Sequence, residues 1–236
     1  LEQLPLIVPE HVLCEPVRRN TAPCIAYACH KIARLNPDAR IVVAPSDHII
    51  LKEQVFTNTI KDALKAVSEN DWLITLGIMP SRPDTGYGYI QFDDSKEFPP
   101  YDRVRKVKTF TEKPHLELAV SFLQSGDFLW NSGIFIWSLK SILEAFDKHL
   151  GEVNSIFKDG DTKYFTLMEK EYILQAYTLC KSISIDYGVM EKADNVYVIP
   201  SDFGWSDLGT WGSLYEARIK NEDGNAIVGD SVIPFD

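Results

Sequence analysis

Apolar residues recur along this chain in two rhythms. In the window 52–70, "KEQVFTNTIKDALKAVSEN", positions 55, 56, 60, 63, 64 and 67 are apolar. That spacing predicts a helix with one face on a core. Unbroken apolar runs flank it. "RIVVAP" at 40–45 and "WLITLGIMP" at 72–80 read as strands buried on both faces. Strand, helix and strand with short links predict a parallel βαβ unit with a right-handed crossover.

The rest of the chain follows the same two periods. "TAPCIAYACHKIARL" (21–35) starts after Asn20 with Pro23 in its first turn and stops at Asn36-Pro37, which predicts a buried helix. Beyond Pro80, "GYGYIQF" and "YDRVRKVKTFTEK" alternate and predict an antiparallel excursion around "DDSKEFPP". "HLELAVSFLQSG" (115–126) is an amphipathic helix stopped by Gly126, and "FLWNSGIFIWS" (128–138) is a strand with Gly133 inside it. Residues 139–150 and roughly 161–178 read as helices, and "NVYVIPS" (195–201) as a strand. No repeat, low-complexity stretch or Gly/Ser-rich linker interrupts them, so one mixed, mostly parallel α/β domain is expected.

Composition narrows the function classes. With 45% hydrophobic and 25% charged residues in 236, the chain reads as a soluble globular protein. It has no apolar run long enough to span a membrane. The opening "LEQLPLIVPEH" lacks the basic and apolar regions of a secretory leader, so a cytoplasmic location is expected. A net charge of −10 disfavours a nucleic-acid surface while leaving room for a nucleotide held with a metal ion. Cys14, Cys24, Cys29 and Cys180 form no CxxC, so reduced thiols are expected rather than zinc ligands or disulfides.

Several stretches carry candidate chemistry, each beside a plainer reading. Asp47 in "APSDHII" follows an apolar strand, where ligands of open α/β sheets gather, or else caps the next turn. Asp207 in "GWSDLGTWGSLYE" is a lone acid between two tryptophans, either a cap or a ligand for a positive charge. Together the two acids suit Mg²⁺, which takes one or two carboxylates plus substrate phosphates. His48 reads as structural, since magnesium disfavours imidazole. Arg18 and Arg19 precede a helix N-terminus capped by Asn20, a place for an anion or a pair of solvated arginines. Gly86 and Gly88 allow close backbone approach to a ligand, or form a simple turn. In "FTEKP", Glu112 and Lys113 suit sugar hydroxyls and phosphate, or form an exposed ion pair. Asn131 in "WNSG" suits a hydroxyl, or marks a bulge at Gly133. "DGDTKYF" (159–165) lacks the glycine and final Glu of a calcium loop, and "FDDS" (92–95) reads as a polar loop.

Taken in order, "EPVRRNTAPCIA", "VVAPSDHII", "GIMPSRPDTGYGYI", "FTEKP", "WNSGIFIW", "SIDYGVMEK" and "GWSDLGTW" resemble the successive motifs of mannose-1-phosphate guanylyltransferases, from about residue 15 to 211. The resemblance implies a Rossmann-like nucleotidyltransferase fold (GT-A-like): a mixed, mostly parallel sheet with flanking helices over 1–220, with 221–236 starting a β extension. It implies transfer of GMP from GTP to mannose 1-phosphate, with Mg²⁺. Asp47 and Asp207 match the family's metal-binding aspartates, and with Lys113 they are the implied catalytic residues. Glu112, Lys113 and Asn131 match positions that hold the sugar phosphate, and Gly86 the glycine whose backbone faces the sugar. Arg19, Asn20 and Thr21 match the segment near the nucleotide. Asp186, Tyr187 and Glu191 fall in a family motif on the substrate side. A non-catalytic regulatory or sugar-phosphate-binding relative and a pyrophosphorylase for another sugar or base are the alternatives.

Departures from the pattern matter too. The family's glycine-rich "GGxGTRLWP"-like phosphate loop has no counterpart in residues 1–14. Arg18 stands where glycine is usual, and Ser46 where alanine is usual. The expectation is therefore an N-terminally incomplete sheet and a stretch of chain inactive or nearly so by itself. The open sheet edge would favour a homo-oligomer.

Overall fold

A computed structural model of the protein describes residues 5–209, 214–215, 218–222 and 224–226. Its helices are α1 (Thr21–Ala33), α2 (Glu53–Glu69), α3 (Leu116–Ser125), α4 (Leu139–His149), α5 (Gly151–Lys158) and α6 (Glu169–Leu179). Its strands are β1 (Arg40–Val43), β2 (Ile49–Ile50), β3 (Leu73–Ile78), β4 (Gly88–Asp93), β5 (Arg105–Glu112), β6 (Phe128–Ser138), β7 (Val196–Ser201) and β8 (Trp205–Ser206). A single π-helical turn covers Asp186–Met190. Most of the expected extension at 221–236 and part of the "GWSDLGTW" motif lie outside the described residues.

Six strands form one sheet in the order β1-β6-β3-β7-β5-β4. Among the described residues, β3 and β7 are its parallel pair, running from Leu73 opposite Val196 to Ile78 opposite Ser201. The other ladders are antiparallel. The mostly parallel sheet expected from the sequence is thus corrected to a mixed, largely antiparallel one. The cause is β6, whose 11 residues run between β1 and β3, antiparallel to both. β1 and β3, expected to form a βαβ unit with α2, share a direction, but β6 separates them. At Gly133 the backbone takes φ +69°, and the register with β3 shifts between Thr75 and Gly77. This bend lets the first half of β6 pair with β4, with Trp130 opposite Tyr89.

Two local expectations are also corrected. β3 is buried along nearly its whole length, but β1 is a half-exposed edge strand on which Val42 is 38% exposed. The helix expected over 161–178 begins only at Glu169. Gly160 packs so tightly that a Cβ there would lie 2.4 Å from the Tyr172 ring, and Phe165 turns left-handed at φ +62°, so the chain crosses 159–168 in turns.

Helices cover both faces of the sheet. On one side α1, α4, α5 and α6 enclose Trp137, Phe146, Phe157 and Tyr177. On the other, Ala63, Ala66 and Val67 of α2 pack on Ile74, Leu76 and Ile136. Truncating a core aromatic such as Trp137 to alanine would cost about 3–5 kcal/mol. With its core packed this way, the sheet is a rigid platform whose strand ends and loops carry the site.

Candidate active site

A two-stranded antiparallel ribbon sets the first half of the site. Ile49 pairs with Ser206 and Ile50 with Trp205. One step off this ladder stand His48 and Asp207, with Asp47 next to them, so two segments far apart in the chain share one ribbon end. Trp205 Nε1 donates to His48 Nδ1 at 3.0 Å, and His48 Nε2 lies 3.9 Å from Asp47 Oδ1. Burial lowers the His48 pKa below 6.5 although the charges of both Asp47 and Asp207 pull it upward. The Asp47 side chain is 84% exposed. Asp207 is held: its Oδ1 accepts from Tyr87 Oη at 2.8 Å and from Gly209 N at 3.0 Å. The tryptophan before Asp207 is therefore part of its frame, because Trp205 meets Tyr87 edge-on at 5.4 Å.

No group of three or more His, Cys, Asp or Glu side chains suited to a metal occurs among the described residues. Asp47 and Asp207 both lie near enough to act on the His48 charge, and carboxylates are among the oxygen ligands that Mg²⁺ takes beside water and phosphates.

The second half lies where β4, β5 and β6 meet. Gly88 is registered opposite Glu112, and a Cβ on Gly88 would come within 2.3 Å of Glu112 Oε2 and 3.4 Å of Asn131 Cβ. Glycine here makes room for a carboxylate. Asn131 Nδ2 donates to Asp186 Oδ1 at 2.7 Å, while Asn131 Oδ1 accepts from Gly133 N at 3.1 Å and Thr75 Oγ1 at 3.3 Å. Burial and then the Asp186 charge push the Glu112 pKa up, against the pull of Lys113. Burial raises Asp186 as well, opposed by the bond from Asn131. Glu191 is raised by burial and by Asp186. Lys113 is exposed and adopts φ +48°, and its N–H donates to Tyr87 O at 3.2 Å. Tyr187 is exposed at the rim.

Gly86 and the 19–21 segment are more committed. Gly86 N donates to Asp84 Oδ1 at 2.8 Å, and the same carboxylate takes Arg82 Nη2 on its other oxygen at 2.7 Å. Arg19 Nε donates to Tyr177 O at 2.9 Å, so its guanidinium satisfies carbonyls at the end of α6. Asn20 Oδ1 accepts from Thr21 N at 2.9 Å in a left-handed residue with φ +68°. Thr21 Oγ1 accepts from Ile185 N at 2.8 Å, and Ala22 N donates to Ile183 O at 3.1 Å. These bonds stitch the start of α1 to the residues just before Asp186.

Sequence reasoning passes over Tyr87, Trp205 and Thr75. Each hydrogen-bonds a predicted site residue or its neighbour from more than 50 positions away, and nothing local signals that. Tyr87, Trp205, Ile78, Arg82, Trp130 and Asp202 also line a cavity of about 560 Å³ near the carboxyl ends of β3 and β7.

A mixed, largely antiparallel α/β sheet covered by helices on both faces carries these acids at its strand ends and loops. The nucleotidyl transferase family profile matches residues 2–224, and the chain belongs to that family. Within it, the chain is similar to mannose-1-phosphate guanylyltransferases. That of Escherichia coli is 35% identical over 230 residues, 94% of this chain and 48% of the relative. That of Sinorhizobium fredii is 37% identical over 228 residues, 93% of this chain and 42% of the relative. The chain spans about half the length of these curated relatives. Among solved structures, the crystal structure of mannose-1-phosphate geranyltransferase from Thermus thermophilus superposes with TM-score 0.77 at 28% identity, covering 92% of this chain and 67% of that one. Mannose-6-phosphate isomerase from Helicobacter pylori superposes with TM-score 0.65 at 27% identity, covering 81% and 72%.

Proposed function

We propose that this chain supplies the sugar-phosphate and metal side of a mannose-1-phosphate guanylyltransferase. The reaction joins GTP and mannose 1-phosphate into GDP-mannose and pyrophosphate. One observation supports the reading most: Glu112, Asn131 and Asp186 form a single cluster around Gly88, with Asn131 fixed at 2.7 Å from Asp186. Carboxylates accept paired hydroxyls, and the second N–H of the oriented amide donates, a polar set suited to a hexose.

The chemistry follows from charge. A phosphate oxygen of mannose 1-phosphate forms a bond to the α-phosphorus of GTP, the α–β bridging P–O bond breaks, and pyrophosphate leaves with that electron pair. Asp47 and Asp207 would hold Mg²⁺, which when bound offsets the negative charge of the two meeting phosphates. Lys113 offers an exposed cation at the sugar-phosphate end, and Glu112, Asn131 and Asp186 orient the hexose, so positioning supplies much of the rate. No covalent enzyme intermediate is required.

No glycine-rich phosphate loop of the family's kind occurs in the 236 residues. We expect these residues to bind mannose 1-phosphate. The test is calorimetric titration with mannose 1-phosphate, glucose 1-phosphate and GTP, each with Mg²⁺, alongside pyrophosphate release by the full-length protein. Selective binding of mannose 1-phosphate that Asn131→Ala abolishes supports the reading. Failure of mannose 1-phosphate to bind would sink it.

A further inference from the structure

Tyr87 joins the two halves of the site. Gly86 and Gly88 flank it, and its backbone carbonyl accepts from Lys113 N at 3.2 Å, so its main chain belongs to the sugar side. Its side chain turns to the opposite face of the strand from Gly88. There the hydroxyl donates to Asp207 Oδ1 at 2.8 Å. The ring is only 7% exposed and is clamped edge-on by Trp130 at 4.9 Å and Trp205 at 5.4 Å, with the Arg82 guanidinium over it at 5.8 Å. A ring packed on three sides cannot swing, so its hydroxyl is a fixed point. Asp207, by contrast, follows a two-residue strand, and besides the Tyr87 hydroxyl its Oδ1 accepts from the nearby backbone at Gly209 N.

We infer that Tyr87 is a positioning residue: its hydroxyl aims the Asp207 carboxylate at the divalent cation and couples cation binding to mannose 1-phosphate. This rests on the reading of the site proposed above. Partners that orient a ligating side chain are commonly worth roughly 10–100-fold in metal affinity. The bond from Gly209 N survives loss of the hydroxyl, so the lower end of that range, about 10-fold, is expected. A purely structural tyrosine would change stability and leave the cation untouched.

The experiment is Mn²⁺ titration of the full-length protein, followed by the paramagnetic resonance signal of the free ion, with and without mannose 1-phosphate. Tyr87→Phe keeps the packed ring, and a melting curve verifies the fold. It should weaken Mn²⁺ binding about 10-fold in the presence of mannose 1-phosphate, while mannose 1-phosphate affinity without metal stays within about twofold. Tyr89→Phe is the control, because its hydroxyl bonds Asp84 O at 2.9 Å and touches neither acid. It should leave the Mn²⁺ midpoint where it is. Asp207→Asn separates the two ideas. If it abolishes Mn²⁺ binding while Tyr87→Phe matches the unaltered protein, the positioning role is wrong and the metal reading stands. If Asp207→Asn binds Mn²⁺ normally, the metal reading falls and takes this inference with it.

Discussion

Asn131 Nδ2 donates to Asp186 Oδ1 across 2.7 Å, tying the bend of β6 to the π-helical turn. Gly133 N and Thr75 Oγ1 both donate to the other end of the same amide, so its orientation is fixed by the network. Asn131→Asp keeps the shape and turns the donor into a second acceptor facing a carboxylate. The like charges should cost about 2–3 kcal/mol in urea unfolding near neutral pH. The variant's deficit should shrink in acid, as one carboxyl takes up a proton. A deficit that ignores pH would show that the amide matters for packing and not for charge.

Gly88 predicts a split between stability and binding. A methyl there would sit 2.3 Å from Glu112 Oε2, the far end of a side chain that can rotate away. Gly88→Ala should therefore shift the melting temperature by only a few degrees, since about 1 kcal/mol is worth roughly 2–4 °C in a chain of this size. Displacing Glu112 should weaken mannose 1-phosphate at least roughly tenfold by calorimetry, the loss of about one good hydrogen bond to a charged group. Unchanged affinity would remove Glu112 from the site.

How far the sequence carries can be judged from β6. Its apolar run and internal glycine mark a bent strand, and α1 to α4 likewise follow from periodicity and caps. Periodicity is local, however, and says nothing of neighbours. That β6 runs between β1 and β3 depends on pairings more than 50 residues apart, so strand direction is not legible in it. "RIVV" shows the matching limit, because apolar side chains report preference for burial and not whether a second layer covers the strand. At the site, residue types such as Glu112 and Asn131 are legible because their chemistry is their own. The Tyr87 bond to Asp207 spans 120 positions and leaves no trace in either motif. Arg19 shows the reverse case, since its charge suggests an anion contact while its guanidinium is committed to carbonyls of α6.

Glu112 gives the stability a pH dependence of known sign. Burial, then Asp186, raise its folded pKa above 4.5, its ordinary value. A carboxyl with a raised folded pKa favours the fold when protonated, and that contribution is lost as pH rises through the folded value. Glu112→Gln removes the charge without the shape. Near neutral pH the variant should be the more stable, and the gap should close as pH falls toward 4.5. Unfolding free energies across a pH series check this. A gap that stays constant would mean that Glu112 bears no burial penalty. The same variant should bind mannose 1-phosphate less well, so gain of stability and loss of binding would coincide in one residue.

Away from the site, Glu169 is the acid with the opposite sign. Lys31 Nζ lies 2.5 Å from Glu169 Oε1, with both side chains 13% exposed. Tyr27 Oη donates to the same oxygen at 2.6 Å, and Phe165 N to Oε2 at 2.7 Å. Burial alone would raise this carboxyl, but the bonds from Lys31, Tyr27 and Phe165 outweigh it and hold the pKa below 4.5. A depressed folded pKa contributes stability above the ordinary value, and that stability disappears as pH falls through the folded one. Lys31→Met keeps the aliphatic stem and removes the cation, leaving a carboxylate nearly buried with two neutral donors. The expected cost is about 2–3 kcal/mol near neutral pH, somewhat under the full penalty for a stranded buried charge because two bonds remain. In acid the unaltered protein should lose its advantage, so the two unfolding curves should converge below pH 4.5. Equal stability at neutral pH would mean that the Lys31 charge only balances its own desolvation and that Tyr27 and Phe165 alone hold Glu169.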